Sequence, residues 1–157
     1  MPQLGTSSIA DQARKTVVIK VYLAARWEQA AFMRQCREAL DALGVGCASN
    51  WLDVAATGLR AIEDDATMEA NARLDFRDVH EADVLILYSP KAGLGSGRGG
   101  RHVELGIALG MDKPVILVGE RENVFHWHPT VTVLPEDATM RDVAAAVLAV
   151  IEPRLGR

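Results

Sequence analysis

Apolar positions along the chain fall into two patterns. Thr16–Leu23 (TVVIKVYL), Val84–Tyr88 (VLILY) and Pro114–Val118 (PVILV) are largely unbroken apolar runs rich in β-branched residues. Such runs are too short for helices and suit strands covered on both faces. Val45–Ala48 and a weaker segment, Val131–Leu134, add two more candidate strands. Between them the spacing turns helical. Trp27 to Leu43 carries apolar residues at 32, 36, 39, 40 and 43, with Gly44 placed as a C-cap. Further helices are expected from Thr67 to about Ala82, from Gly100 to Met111 and from Met140 to Ile151. The order β-α-β-α-β-α-β-β-α predicts a parallel sheet of about five strands in a three-layer α/β sandwich, Rossmann-like and flavodoxin-like in strand order. Residues 1–15 read as a flexible polar lead-in and residues 16–157 as a single domain. Asn50–Asp65 has no clear period and reads as a long surface excursion.

Composition narrows the class. The chain has 157 residues, 49% hydrophobic and 24% charged, with a net charge of −4 spread along the sequence. That suits one soluble domain and argues against a nucleic-acid surface, which needs a basic stripe. No apolar run approaches the roughly 18 residues of a membrane span, and the first residues lack the order of a signal peptide, so a cytoplasmic location away from membranes is expected. Cys36 and Cys47 fall on a predicted helix and a predicted strand without C-x-x-C spacing and read as buried thiols.

Candidate chemistry concentrates between Gly93 and Glu104 (GLGSGRGGRHVE). Glycines at 93, 95, 97, 99 and 100 let the backbone approach a ligand and turn N–H groups toward an anion. Glu104 is expected in the first turn of the following helix, where the positive end favours its ionised form. In a parallel sheet, ligands bind beyond the carboxyl ends of the strands where strand order reverses. Three segments are expected to meet there: Ala24–Trp27, Ser89–Glu104 and Gly119–Asn123. A second signal lies on the helix before the third strand. Its apolar stripe runs Met68, Ala72, position 75, Val79, Ala82, and position 75 is Asp75. An aspartate facing a core must be paired, protonated or turned to a polar cavity. Asp78 and Asp83 carry no such signal, and Asp83 reads as a turn or cap residue.

Three stretches together, Val21-Tyr-Leu-Ala-Ala-Arg26, Leu74-Asp-Phe-Arg-Asp-Val-His-Glu-Ala-Asp-Val-Leu-Ile86 and Gly99-Gly-Arg-His-Val-Glu-Leu-Gly-Ile-Ala-Leu-Gly110, followed by Lys113-Pro-Val-Ile-Leu-Val118, resemble the nucleoside 2-deoxyribosyltransferase superfamily, which includes nucleotide N-hydrolases. The resemblance covers roughly residues 17 to 135. It implies a doubly wound α/β fold, a homodimer or higher homo-oligomer whose neighbouring subunits complete each site, a small-molecule nucleoside or nucleotide substrate, and no metal or organic cofactor. It places the nucleophile at Glu104 and a residue handling sugar or base at Asp75. Periodicity and resemblance thus point to the same two carboxylates.

The resemblance also implies an aspartate in the loop after the third strand, for base recognition, and Ser89–Val103 contains no Asp or Glu. Arg98, Arg101 and His102 stand there instead, and Arg26 follows the first strand. Guanidinium groups suit a phosphate. The expected ligand-facing set is Tyr22, Ala24, Arg26, Ser89, Gly97, Arg98, Gly99, Gly100, Arg101 and His102. Hydrolysis of a 5′-monophosphate is expected ahead of base exchange between free nucleosides, with a non-catalytic nucleotide sensor as the competing class.

Other motifs are weaker. Gly95-Ser-Gly97-Arg-Gly-Gly100 matches G-x-G-x-x-G, but Ser89–Leu94 separates it from its strand and too little chain follows Glu120 for a second mononucleotide half. No G-x-x-x-x-G-K-[ST] occurs. His126-Trp-His128 lacks a third ligand nearby and reads as part of an aromatic loop with Phe125, packed on a neighbouring subunit or over the cleft. Trp27 and Trp51 are candidates to stack on a base.

Overall fold

The computed structural model describes residues 18–57, 64–89 and 99–155. The expected lead-in, the first residues of the first expected strand, and Gly97 and Arg98 lie outside them. Five parallel strands form one sheet: β1 (Lys20–Ala24), β2 (Gly46–Cys47), β3 (Val84–Ser89), β4 (Val115–Gly119) and β5 (Val131–Leu134), in the order β2-β1-β3-β4-β5. This is the flavodoxin-like order. Continuous apolar runs become strands covered on both faces, and β3 is buried along its whole length. Five helices complete the described part: α1 (Ala30–Ala42), α2 (Trp51–Ala56), α3 (Asp65–Glu81), α4 (Gly100–Gly110) and α5 (Met140–Leu155). α1 packs with α5 and α3 packs with α4, which gives the three layers. No described helix is long and apolar enough to cross a membrane.

Several local expectations need correction. The excursion from Asn50 contains α2, whose Trp51 and Leu52 are buried. A helix of six residues is too short to display a period, so its sequence carries no helical signature. On α1 the buried stripe is Ala30, Met33, Cys36 and Leu40, while Phe32 and Leu43 face outward. On α3, Met68 and Ala72 are exposed, and burial is confined to the last turns, at Asp78, Val79 and Ala82. Seventeen residues make a helix of about 25 Å, against about 17 Å for the five residues of β1. The helix therefore outruns the sheet it covers, and among the described residues most of its first half is exposed.

The β4–β5 connection has no crossover helix. Parallel neighbours usually need one, but this link is a single 3₁₀ turn, Val124–Trp127, built around His126, which is fully buried. His126 Nδ1 accepts the N–H of Glu122 at 3.0 Å, and its carbonyl accepts Arg121 Nε at 3.1 Å. The imidazole is the core of the loop, not a free half of a metal-ligating pair. Phe125 and Trp127 are exposed, and Arg121 lies over the Trp127 ring. Cys36 is buried and Cys47 partly so, both as free thiols. Asp83 accepts the N–H of Lys20 through Oδ2 at 2.8 Å and so pins the start of β1.

Candidate functional site

Parallel register brings the ends of β1, β3 and β4 together. Ala24 lies opposite Leu87, and Ser89 opposite Gly119. Tyr22 and Ala24 are fully buried in β1, and Ser89 closes β3, also buried. Beyond these ends, Gly99 takes a left-handed conformation (φ 80°) as the N-cap of α4, and Gly100 is its first residue. A left-handed cap favours glycine.

α4 starts at Gly100 as expected, which makes Glu104 its fifth residue, in the second turn rather than the first and beyond the unpaired N–H groups of the helix start. Its carboxyl is not held ionised by the helix end. Burial drives its pKa up to about 7, the hydrogen bond from Tyr22 opposes the rise, the charge of Asp75 adds to it, and Arg101 works against it. The Tyr22 hydroxyl donates to Glu104 Oε1 at 2.7 Å. Burial, with the neighbouring carboxylates Glu104 and Asp75, pushes that phenol well above its usual range, so it remains a donor.

Asp75 is half-buried on α3, and its carboxyl rises to about 6, first through burial and then through the charge of Asp78. It forms part of the wall of an open hollow with Trp27, Trp51, Val54, Asn71 and Leu74. The two tryptophan rings stand 6.1 Å apart, tilted by 35°. Trp51 is anchored by its indole N–H, which donates to the Leu23 carbonyl at 2.9 Å. Trp27 is about a third exposed. One side of the site thus combines flat apolar surface with a carboxyl whose proton affinity is raised by burial.

A second group of side chains near Glu104 is polar. Arg101, on the first turn of α4, is 7% exposed, and its guanidinium meets Glu122 Oε2 at 2.7 Å. It is already paired, contrary to the expectation of an open phosphate ligand. His102 Nε2 lies 3.2 Å from the same oxygen, and Asn123 Nδ2 lies 3.1 Å from His102 Nδ1. Asn123 Oδ1 accepts the N–H of Phe125, so its amide nitrogen faces the histidine and His102 donates to Glu122 through Nε2. Burial, then the charges of Arg101 and more weakly Arg26, lower the pKa of His102 against the pull of Glu122. Burial opposes ionisation of Glu122, but Arg101 and His102 hold it below the usual carboxylate range. The Nε of Arg26 is buried without a hydrogen-bond partner among the described residues, as is that of Arg101. Among the described residues, two guanidinium groups against one carboxylate leave this side net positive.

The described parts of the three expected segments therefore converge, and Glu104, Asp75, Tyr22, Arg26, Arg101 and His102 share one region. Sequence reading missed Glu122, Asn123 and Asp78 as site residues. Glu122 and Asn123 fall in a segment expected to meet the site, yet nothing in their spacing selects them. Asp78 lies one turn from Asp75 and is 1% exposed. Among the described residues no group of three or more His, Cys, Asp or Glu side chains is placed to hold a metal ion.

No protein-family model and no curated protein sequence matches the chain. Solved structures do, and they define a doubly wound α/β class. A CMP N-glycosidase, BcmB, from Clostridium botulinum superposes with a TM-score of 0.53 at 18% identity, over 82% of this chain and 97% of that one. A 2-deoxyribosyltransferase from the psychrotolerant bacterium Bacillus psychrosaccharolyticus superposes with a TM-score of 0.62 at 21% identity, over 82% of this chain and 95% of that one. Both share the doubly wound α/β fold that the sequence motifs imply. At this identity the likeness is one of fold.

Proposed function

We propose that the protein cleaves the N-glycosidic bond of a (deoxy)ribonucleoside 5′-monophosphate and releases the base. One observation carries the reading: two carboxyl groups from different helices, Glu104 and Asp75, face one site with proton affinities raised toward neutrality by burial and by negative neighbours. A pair of carboxyl groups, one attacking and one exchanging protons, is the equipment of a retaining glycosidase. Glu104 attacks C1′, and its new C–O bond forms as the C1′–N bond breaks. The electron pair leaves with the base, which takes the proton of Asp75. Water then attacks C1′, Asp75 accepts its proton, and Glu104 is released.

The remaining geometry supports the same substrate. Trp27 and Trp51 give the base apolar surface beside Asp75. Arg26, Arg101 and His102 give the net positive side a phosphate needs, with Glu122 as the internal anion it must displace or share. The fold neighbours act, by name, as a CMP N-glycosidase and a 2-deoxyribosyltransferase, so base exchange is the second reading and differs only in what attacks the glycosyl–Glu104 ester. A homodimer or larger homo-oligomer, with each site completed by a neighbour, belongs to the same proposal and is tested by sedimentation.

The test is incubation with a panel of nucleosides and nucleoside monophosphates, with free base measured by chromatography. Release that vanishes in Glu104→Ala, with a sugar adduct on Glu104 by mass spectrometry, is expected. Addition of a second base separates exchange from hydrolysis. Binding without release, unchanged by Glu104→Ala, would mean a sensor rather than an enzyme.

A further inference from the structure

We infer that Asp78 is a positioning residue of this site: it fixes the Asn50–Trp51 turn that walls the hollow, and it places its carboxylate one helical turn from the proton donor Asp75. The inference rests on the proposed reading for its purpose, though not for its test.

The placement of Asp78 is costly in itself. It is 1% exposed, and it lies in the last turn of α3, where the helix end is negative and repels a carboxylate. What offsets that cost is specific. Oδ2 accepts the backbone N–H of Asn50 at 2.9 Å, and Oδ1 accepts Asn50 Nδ2 at 3.0 Å and Arg77 at 3.4 Å. Donors thus meet both oxygens of the carboxyl group. Asn50 immediately precedes α2, and the next residue is Trp51, whose ring lines the hollow beside Asp75. One carboxylate thereby ties α3 to the turn that carries a wall of the site.

Its charge acts on Asp75 directly, because residues three apart on a helix are neighbours. Asp75 and Asp78 both face inward, and among the described residues the titratable groups that meet them from other elements are Tyr22 on β1 and Glu104 on α4. Neither of these is cationic. Arg77 is the cation against Asp78, and it is more than half exposed. A carboxylate in this setting makes it harder for Asp75 to lose its proton, as the rise in its proton affinity reflects. A proton donor to a leaving base needs that property near neutral pH.

Two substitutions with opposite signs test the inference. Asp78→Asn removes the charge, so the Asp75 carboxyl, followed by ¹³C NMR in the full chain without substrate, titrates at lower pH by ~0.5–1 unit. Arg77→Gln removes the opposing cation at an exposed position and shifts the same titration upward. The alkaline limb of base release moves the same way in each variant. A structural tie alone would lower activity by one factor at every pH and leave both the NMR titration and the limb in place. If Asp75 titrates unchanged in a folded Asp78→Asn, or if the two variants shift it in the same direction, the inference is wrong. Should Asp78→Asn not fold, Arg77→Gln decides: an upward shift supports the inference and no shift overturns it. Because the titration needs no substrate, it reads out even if no nucleotide is cleaved, in which case the proposed function fails and the coupling between the two aspartates is still measured.

Discussion

The hydroxyl of Tyr22, fully buried in the second strand of the sheet from one edge, donates to Glu104 Oε1 at 2.7 Å and so links β1 to α4 at the candidate nucleophile. The bond favours the ionised carboxylate against the burial that raises its pKa to about 7. Tyr22→Phe keeps the ring and removes the donor, so Glu104 holds its proton to higher pH. Base release in the wild type is expected to follow a narrow bell between about 6 and about 7, as the pair Asp75 and Glu104 titrates. In the variant the acid limb moves up, with a loss of roughly tenfold at pH 6, one pKa unit being a factor of ten. A profile lowered evenly without a moved limb would contradict this role.

Glu104 also makes stability depend on pH. Its folded pKa lies above its unfolded value, so the folded state binds more protons between about 4.5 and about 7 and loses stability as pH rises through that window. Glu104→Gln keeps an acceptor for Tyr22 and cannot ionise. It is expected to melt higher than wild type at pH 8, by on the order of 2–3 kcal/mol, and to match it near pH 4. Thermal melts at the two pH values check this, and base release should fall by at least 10³-fold.

Arg101 and Glu122 have the opposite sign. Glu122 is held below its usual range chiefly by its bond to Arg101, despite burial, so the pair contributes stability above the unfolded glutamate pKa and loses it as pH falls through the folded one. Glu122→Gln leaves a 7% exposed guanidinium without its counter-charge and is expected to cost about 3 kcal/mol at pH 7, read by urea denaturation. The same variant frees positive charge for a phosphate, so KM for a nucleoside monophosphate should fall while that for the free nucleoside stays. Equal changes in both would remove the phosphate from this side of the site.

Gly119 ends β4 at φ 114°, and a Cβ there would lie 2.0 Å from the carbonyl oxygen of Ser89. The neighbour is strand backbone and cannot yield cheaply. Gly119→Ala is expected to cost several kcal/mol, about 3 or more, by spreading the ends of β3 and β4. An unchanged melting temperature would show that the two strand ends separate freely.

Much of this was legible in the sequence because strands covered on both faces must be continuously apolar, and three of the five are. Glu104 and Asp75 stood out for local reasons: one follows a glycine-rich stretch at a helix start, and the other interrupts an apolar stripe. The stripe itself was misplaced, since Met68 and Ala72 are exposed, yet the position it singled out does face the site. α2 was invisible because six residues cannot show a period. Glu122, Asn123 and Asp78 were invisible because their partners, Arg101, His102 and Asn50, are more than 20 residues away along the chain.

The sequence by itself determined the parallel α/β architecture, the longer helices that cover the sheet and the two carboxyl groups singled out at its carboxyl edge, since these follow from local period and from the preference for right-handed crossovers. Only the tertiary structure decided their protonation and their neighbours. The end of α4 would have kept Glu104 ionised, whereas burial beside Asp75 raises its proton affinity; Arg101 would have been open to a phosphate, whereas Glu122 reaches it from another loop. Desolvation and charge pairing depend on what surrounds a group in space, and the linear chain does not carry that information.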